Sequence, residues 1–299
     1  VSIECIAGPV AEPITLHEAK VQLGFGPMQD SDRAAIVDTA NLLRPAIAAA
    51  RAYCENYTSR VLVTQRWLLR LDGFPGSDAR YNWHGYPSIA LPYPPFQSVD
   101  FLKYVDVAGA VQDLPRDTTY GNGGLQYGYQ IARGSETQCG YIYSAWARPW
   151  PPARMVPSNV MVQFRAGYGG PITVSIAAGS AALTVTGGSL TSFNADDAPL
   201  MAGDTGLSIS IPAAGADGET LVTHIASVDP ATGQATLADA AVTAVSRVQG
   251  WVGKPIPEEF RNAIKLMTEY YYGVKQSELN EDLKTAAEAE LAAYRNFVS

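Results

Sequence analysis

Three histidines, a paired aspartate, one glycine-rich loop and several aromatic clusters are the features of this sequence that could carry chemistry. His17, His84 and His224 are scattered, and none lies within metal-ligand spacing of another, so each reads as an ordinary structural or solvent-facing side chain. Asp196-Asp197 could be half of a glycosidase pair or a calcium ligand, but both sites need further carboxylates gathered by the fold. A solvated turn is the reading adopted for it. Gly121-Asn122-Gly123-Gly124 lacks the G-x-G-x-x-G spacing, has no Lys-Ser/Thr after it and opens no helical pattern, so it reads as a turn rather than a phosphate cradle. Tyr270-Tyr271-Tyr272, Trp146 and Trp150 could stack on bases or sugars. They are assigned to the core or to subunit contacts. No G-x-S-x-G elbow is present. No catalytic residue, metal or cofactor is therefore expected, and the chain reads as a non-enzyme.

Composition narrows the partners. The 299 residues carry 21 Lys and Arg against 29 Asp and Glu, a net charge of −8. Such a chain is a poor general binder of nucleic-acid backbone, which requires cations to displace counterions. Cys5, Cys54 and Cys139 are an odd number, far apart and without a CxxC, which excludes a disulfide framework or zinc ribbon and suits a reducing compartment. Buried or neutral thiols are expected. No apolar run approaches the ~18–20 residues of a membrane helix. Val1–Pro13 has no basic stretch leading into an apolar one, so no signal peptide is expected. The absent initiator Met fits removal before a small residue or an offset start.

The elements that must position these residues fall into two groups. Residues 171–250 contain no Trp, Tyr, Cys or Lys and are rich in Ala, Gly, Thr and Ser. One arginine, Arg247, stands there against seven carboxylates, so the segment holds −6 of the net charge. Glycines flank it at Gly167-Tyr168-Gly169-Gly170 and Gly250-Trp251-Val252-Gly253, read as hinges where two chain ends meet. The expectation is a discontinuous host domain, 1–170 and 251–299, carrying an inserted β-domain, 171–250.

In the host, Thr15 and Glu18 form a capping box ahead of Leu16, Ala19 and Leu23, and Gly24 stops that helix. Asp30, Ser31 or Asp32 can cap a longer one, whose apolar stripe is Ile36, Ala40, Leu43, Ile47, Ala50, Cys54 and Tyr57. Pro45 predicts a kink or break within it. The period then becomes two through Val61–Leu71. Further strands are expected at Ile89–Leu91, at Val99–Val105 with a hairpin into Ala110–Leu114, at Tyr141–Ala145 and at Val160–Ala166. Pro257 opens a helix whose buried stripe is Phe260, Ile264, Met267, Tyr271 and Val274, and Asn280 can cap a last one. The fold class is α+β: a helical host with a small antiparallel sheet, plus an all-β sandwich or small barrel. The insert's alternating runs are Ile172/Val174/Ile176, Leu183/Val185, Leu207/Ile209/Ile211, Val222/His224/Ala226/Val228 and Thr236-Leu237.

The order of the host segments resembles the head–tail connector, or neck adaptor, proteins of tailed phages. The resemblance rests on Pro13–Lys20, Ile47–Thr58, Arg60–Trp67, Leu71–Pro75, Leu91–Val99, Val162–Gly169, Ile256–Ile264 and Leu291–Arg295. It spans most of the host. In that family the Ala-Gly-Tyr-Gly strand end runs almost directly into the Ile-Pro helix, whereas here 80 residues intervene. Those residues, notably Phe193–Ile211 and Pro212–Ala216, resemble β-modules of phage fibre and other virion proteins.

The resemblance implies a homo-oligomeric ring, commonly a dodecamer, fixed beneath the portal protein at the head–tail junction of a virion assembled in the bacterial cytoplasm. Such a ring extends the channel through which double-stranded DNA passes and seats the next neck or tail-completion protein. No membrane is involved. Two other readings remain: a carbohydrate- or receptor-binding virion protein using the insert, and a glycan hydrolase using the insert's acids. The exposed-end position of the last helix marks Leu291, Tyr294, Phe297 and Val298 as candidate portal or subunit contacts. On that reading, truncation after Thr285 leaves the rest folded.

Overall fold

The computed structural model describes the chain except residues 10, 26–32, 77–81, 84–85, 118–126, 133–138, 146–147, 188–204, 230–231, 233, 273–276 and 296–299. For residues 33–40, 82–83, 86, 171, 186–187 and 277–280 the backbone alone is described. His84, Gly121–Gly124, Trp146, Asp196-Asp197, Val274 and the expected cap at Asp30–Asp32 thus lie outside the described residues.

The chain opens with a strand, β1 (Ser2–Ala7), and two helices, α1 (Leu16–Gln22) and α2 (Arg33–Thr58). Thr15 Oγ1 accepts from the Glu18 amide at 3.1 Å, and the Glu18 carboxylate accepts from the Thr15 amide at 2.8 Å. Both free donors of the helix start are thereby satisfied. Gly24, at φ +72°, ends α1 in the left-handed region. Helix α2 runs without interruption through Pro45, so the expected break is absent. Pro45 lies on the exposed face, where water can reach the carbonyl that proline leaves unpaired. The opposite face, Leu43, Ile47, Ala50 and Cys54, is buried.

Seven strands then build two host sheets before the chain leaves for the barrel: β2 (Gln65–Leu71), β3 (Asn82–Trp83), β4 (Tyr86–Leu91), β5 (Phe96–Val105), β6 (Val111–Asp113), β7 (Tyr129–Ala132) and β8 (Gly140–Ser144). An eighth, β9 (Val160–Ala166), lies between β2 and β5. One sheet has the order β1-β2-β9-β5-β6 and the other β3-β4-β8-β7. Leu69, Ile89, Leu91, Leu102, Ile142, Val162 and Phe164 form the core they share. The expectation of a mainly helical host with a small sheet is corrected: the protein has more strand than helix. β1, β3 and β7 were not legible, because short strands are set by their pairing partners more than by intrinsic preference.

The barrel strands are β10 (Gly169–Ile176), β11 (Ala182–Gly187), β12 (Ser208–Ile211), β13 (Leu221–Val228), β14 (Ala235–Leu237) and β15 (Val245–Gly253). They close in the order β10-β11-β14-β13-β12-β15, which decides between sandwich and barrel. Ile172, Val174, Leu183, Ile209, Ile211, Ile225, Leu237 and Val252 fill the interior. One face is reversed from expectation. Thr223 and Ile225 point inward on β13, while Val222 and His224 are exposed. The Thr223 hydroxyl donates to Asp239 at 2.7 Å, so its polar atom is satisfied inside. Reading that strand one residue out exchanges its faces.

The two ends of the barrel segment meet as a ladder, from Gly169 opposite Gly253 to Ile172 opposite Gly250. The glycines there are demanded by close approach. A Cβ on Gly253, at φ +101°, would stand 2.3 Å from the Tyr168 carbonyl oxygen, and one on Gly167, at φ +130°, would stand 2.7 Å from the Thr64 backbone. The Gly169 carbonyl accepts from Thr64 N–H at 2.8 Å, and the Tyr168 carbonyl from Lys254 N–H at 2.8 Å. The chain then returns to the helical layer as α3 (Glu258–Tyr272) and α4 (Ser277–Leu291). Asn280 is inside α4 and does not cap it. Phe260, Ile264 and Met267 pack against Ile47, Ala50 and Cys54 of α2.

Candidate assembly surfaces

The residues expected to reach a portal or neighbouring subunit divide. Leu291 is fully buried in the layer formed by α2, α3 and α4. The Tyr294 ring lies 4.8 Å from that of Phe260, and its carbonyl accepts from Arg60 Nε at 2.9 Å. Leu291 belongs to the chain's own core and half-buried Tyr294 packs against it, because α4 covers α3 and Tyr53 hydrogen-bonds Glu288 across the α2–α4 contact. Phe297 and Val298 lie outside the described residues.

Charged side chains inside the host act as clamps. Asp100 on β5 forms ion pairs with Arg165 of β9 at 2.8 Å and with Arg66 of β2 at 3.2 Å, and Gln163 donates a hydrogen bond to it at 3.0 Å. These groups are buried and tie three strands together, so the two arginines are not offered to phosphate. Glu55, near the end of α2, accepts from the Leu62 amide at 2.9 Å, from Arg51 at 2.5 Å and from the Gln65 side-chain amide at 3.2 Å, which fixes the helix to the start of β2. Glu18 has both a cap and a cross-helix role. Burial pushes its carboxyl up, but the Thr15 amide and hydroxyl and the Arg261 guanidinium outweigh that and hold it below the usual range.

Two surface features are not absorbed by such internal pairing. The first is a groove of about 750 Å³ where β1 and β2 of one sheet face β4 of the other. Ile3, Leu69, Leu71, Ile89, Pro92 and Tyr93 line it, and Asp72 stands at its rim. Ser59 and Tyr93, both lining residues, hold positive φ angles of 52° and 65°. Such backbone strain in residues with side chains clusters at functional positions. No period in the sequence signals this groove, because its walls come from segments far apart in the chain.

The second is the tip of the β5–β6 hairpin. Asp106 shapes the turn by accepting from the Ala110 amide at 2.9 Å and from Gln112 at 2.8 Å, and these bonds hold its carboxyl below the usual range. Val107 is 69% exposed and Val111 60%. Met155, 97% exposed, lies beside them, because the Arg154 amide donates to the Val105 carbonyl at 3.0 Å.

Other candidates carry less. His17 and His224 are exposed. All three cysteines are free, and burial raises each thiol, Cys54 to about 12, which keeps them neutral. Among the described residues, no group of three His, Cys, Asp or Glu side chains could hold a metal, and no helix is long and apolar enough to cross a membrane.

No known protein-family model and no curated protein matches the sequence. Solved structures do match in shape. A chain in the neck of an empty GTA particle, computed with C6 symmetry, is 14% identical, with a TM-score of 0.50 over 100% of this chain and 97% of that one. A chain in the neck of a native GTA particle, computed with C12 symmetry, is 14% identical over 86% of this chain and 83% of that one, with a TM-score of 0.40. A chain in the virion of a native gene transfer agent (GTA) particle is 20% identical over 56% of this chain and 72% of that one, with a TM-score of 0.38. At these identities the first likeness is one of fold, and the two scores below 0.5 add nothing to it.

Proposed function

We propose that this chain is a structural subunit of the neck of a phage-like particle. Copies of it form a ring beneath the portal, extend the DNA channel and seat the next neck or tail component. The observation that carries the reading is the likeness of fold to a neck chain across 100% of this chain, barrel included, and 97% of that one. The order of the connector-like host motifs supports it independently. The surface is consistent with a passage for DNA: a net charge of −8, with Arg66 and Arg165 committed to Asp100, leaves little to retain phosphate. The barrel decorates or braces the neck from outside the ring. Copy number follows from how the subunits meet, and twelve is the number the connector resemblance implies.

The test is native mass measurement and electron microscopy of the purified chain, alone and with the portal protein of the same particle. A closed ring, alone or seated on the portal, is expected. A chain that stays monomeric in both conditions and never joins the portal overturns the reading.

A further inference from the structure

We infer that the junction between host and barrel is a rigid lock closed by Gln97, so that the barrel stands at one fixed angle to the host instead of swinging on its glycines. Units joined by short linkers with few contacts move relative to one another by default. Glycine backbone is conformationally free, so glycines at a junction suit a hinge. Here their surroundings remove that freedom. The outgoing Gly169–Ile172 and the returning Gly250–Gly253 pair in the ladder, and the Tyr168 carbonyl accepts from Lys254 N–H. A two-stranded ribbon alone is marginal. A third segment, from the host, stiffens it. Val63 bridges Gly169 in parallel, the Tyr168 N–H donates to the Leu62 carbonyl at 3.0 Å, and the Thr64 N–H donates to the Gly169 carbonyl at 2.8 Å. Thr64 leads directly into β2, which pairs with β9 along its whole length, so the first barrel strand is fastened to the host sheet.

Gln97 closes the joint from β5. The β5–β9 register shifts between Phe96 and Ser98, and Gln97 is the residue left out of the pairing. Such a bulge re-aims a side chain. The Gln97 amide nitrogen donates to Thr64 Oγ1 and to the Gly167 carbonyl, each at 2.7 Å. One side chain thereby holds both the host segment and the turn at which β9 passes into β10. Gln97 and Thr64 are buried, so a rotation about Gly167 would break these bonds out of reach of water and leave polar groups unpaired. The returning strand adds a wedge. Trp251 of β15 packs against the core of the helical layer, and its indole N–H donates to the Lys254 carbonyl at 3.0 Å. A Cβ on Gly169 would stand 2.4 Å from the indole nitrogen, so the ring lies against that glycine. The lock is a property of the single chain. Its consequence rests on the neck reading above: a fixed angle sets every barrel of a ring in the same place, as a brace and not as a tethered decoration.

The test reads one distance in the full-length chain. Spin labels are carried on a ketone-bearing amino acid, which leaves the cysteines untouched. They replace exposed Thr285 on α4 and exposed Val222 on β13, and pulsed electron double resonance measures their separation. Labelled chain is diluted into unlabelled chain, so that only pairs within one chain are seen. A second pair at Thr285 and exposed Leu42, both in the host, gives the width of a distribution inside one rigid unit. The wild type is expected to show a single host–barrel peak as narrow as that of the host pair. Gln97→Met and Thr64→Val remove the donor and the acceptor of the same bond, and Trp251→Ala removes the wedge. Each is expected to lose the narrow host–barrel peak while the host pair stays sharp, whereas Thr64→Ser, which keeps the oxygen, retains it. A broad host–barrel distribution in the wild type overturns the lock. A peak that stays narrow in both Gln97→Met and Thr64→Val overturns the part assigned to Gln97. None of these outcomes depends on ring formation, which native mass decides separately.

Discussion

The host and the barrel solve the edge problem of β-structure in opposite ways. Six barrel strands close on one another, and Ile172, Val174, Leu183 and Ile209 fill a core of their own. A closed ladder offers no strand edge to a neighbour. The five-stranded host sheet ends in β1 and β6, has an apolar groove at one side and exposes apolar side chains at the other. On the ring reading it is the host that offers strand edges to a neighbour, while the barrel closes on itself and meets the host through the ladder from Gly169 and Gly253.

The most damaging change to this division is truncation after Thr285. It removes Ala287 and Leu291, both fully buried, and Tyr294, which packs on Phe260. The host core opens, and far-ultraviolet circular dichroism is expected to show loss of the α2–α3 layer with the barrel signal retained. This reverses the expectation from sequence that the truncated chain stays folded. Paired core substitutions sharpen the comparison next. Phe260→Ala is expected to cost about 3–5 kcal/mol in the host, and Leu183→Ala about 2–5 kcal/mol in the barrel. Followed in urea by fluorescence and by backbone dichroism, each lowers the midpoint of its own unit by more than that of the other. Equal shifts in both would mean a single cooperative unit.

The capping box provides the smallest effect. Thr15→Ala is expected to cost the host about 1 kcal/mol. Glu18 adds a pH dependence whose sign follows from its lowered carboxyl. Its stabilisation is present above the unfolded carboxylate value of ~4.3 and fades as pH falls through the lower folded value. The host urea midpoint should therefore fall less between pH 7 and pH 3 in Glu18→Gln than in the wild type. The barrel midpoint should not distinguish the two proteins.

Much of this was legible where local chemistry decides the structure. Thr15 and Glu18 announced α1, the alternation of Val160–Ala166 matched β9, and Phe260, Ile264 and Met267 marked the buried face of α3. The sequence misled where pairing or solvent decides. β1 has mostly exposed residues and exists because Ser2–Ala7 finds β2. Pro45 is tolerated because its face of α2 is wet. Leu291 looked like an anchor at a chain end, yet α4 folds it against α3. At the hairpin tip Val107 and Val111 are close in sequence, but Met155 joins them only through the fold. The groove draws its walls from Ile3 to Pro94 and Cys139, and no spacing rule gathers those positions.

The central claim is that the host assembles without the barrel. The direct measurement replaces residues 171–251 with Asn-Gly, joining Gly170 to Val252, two residues paired across the ladder. This keeps the bond from Thr64 to the Gly169 carbonyl and that from Lys254 to the Tyr168 carbonyl. Shortening the excursion adds little closure cost, since loop entropy changes by only ~0.6 kcal/mol per doubling of length. Native mass of the shortened chain, alone and with the portal, is expected to give a ring with the copy number of the full-length protein. A folded product that remains strictly monomeric and does not join the portal would contradict the account and make the barrel part of the ring itself.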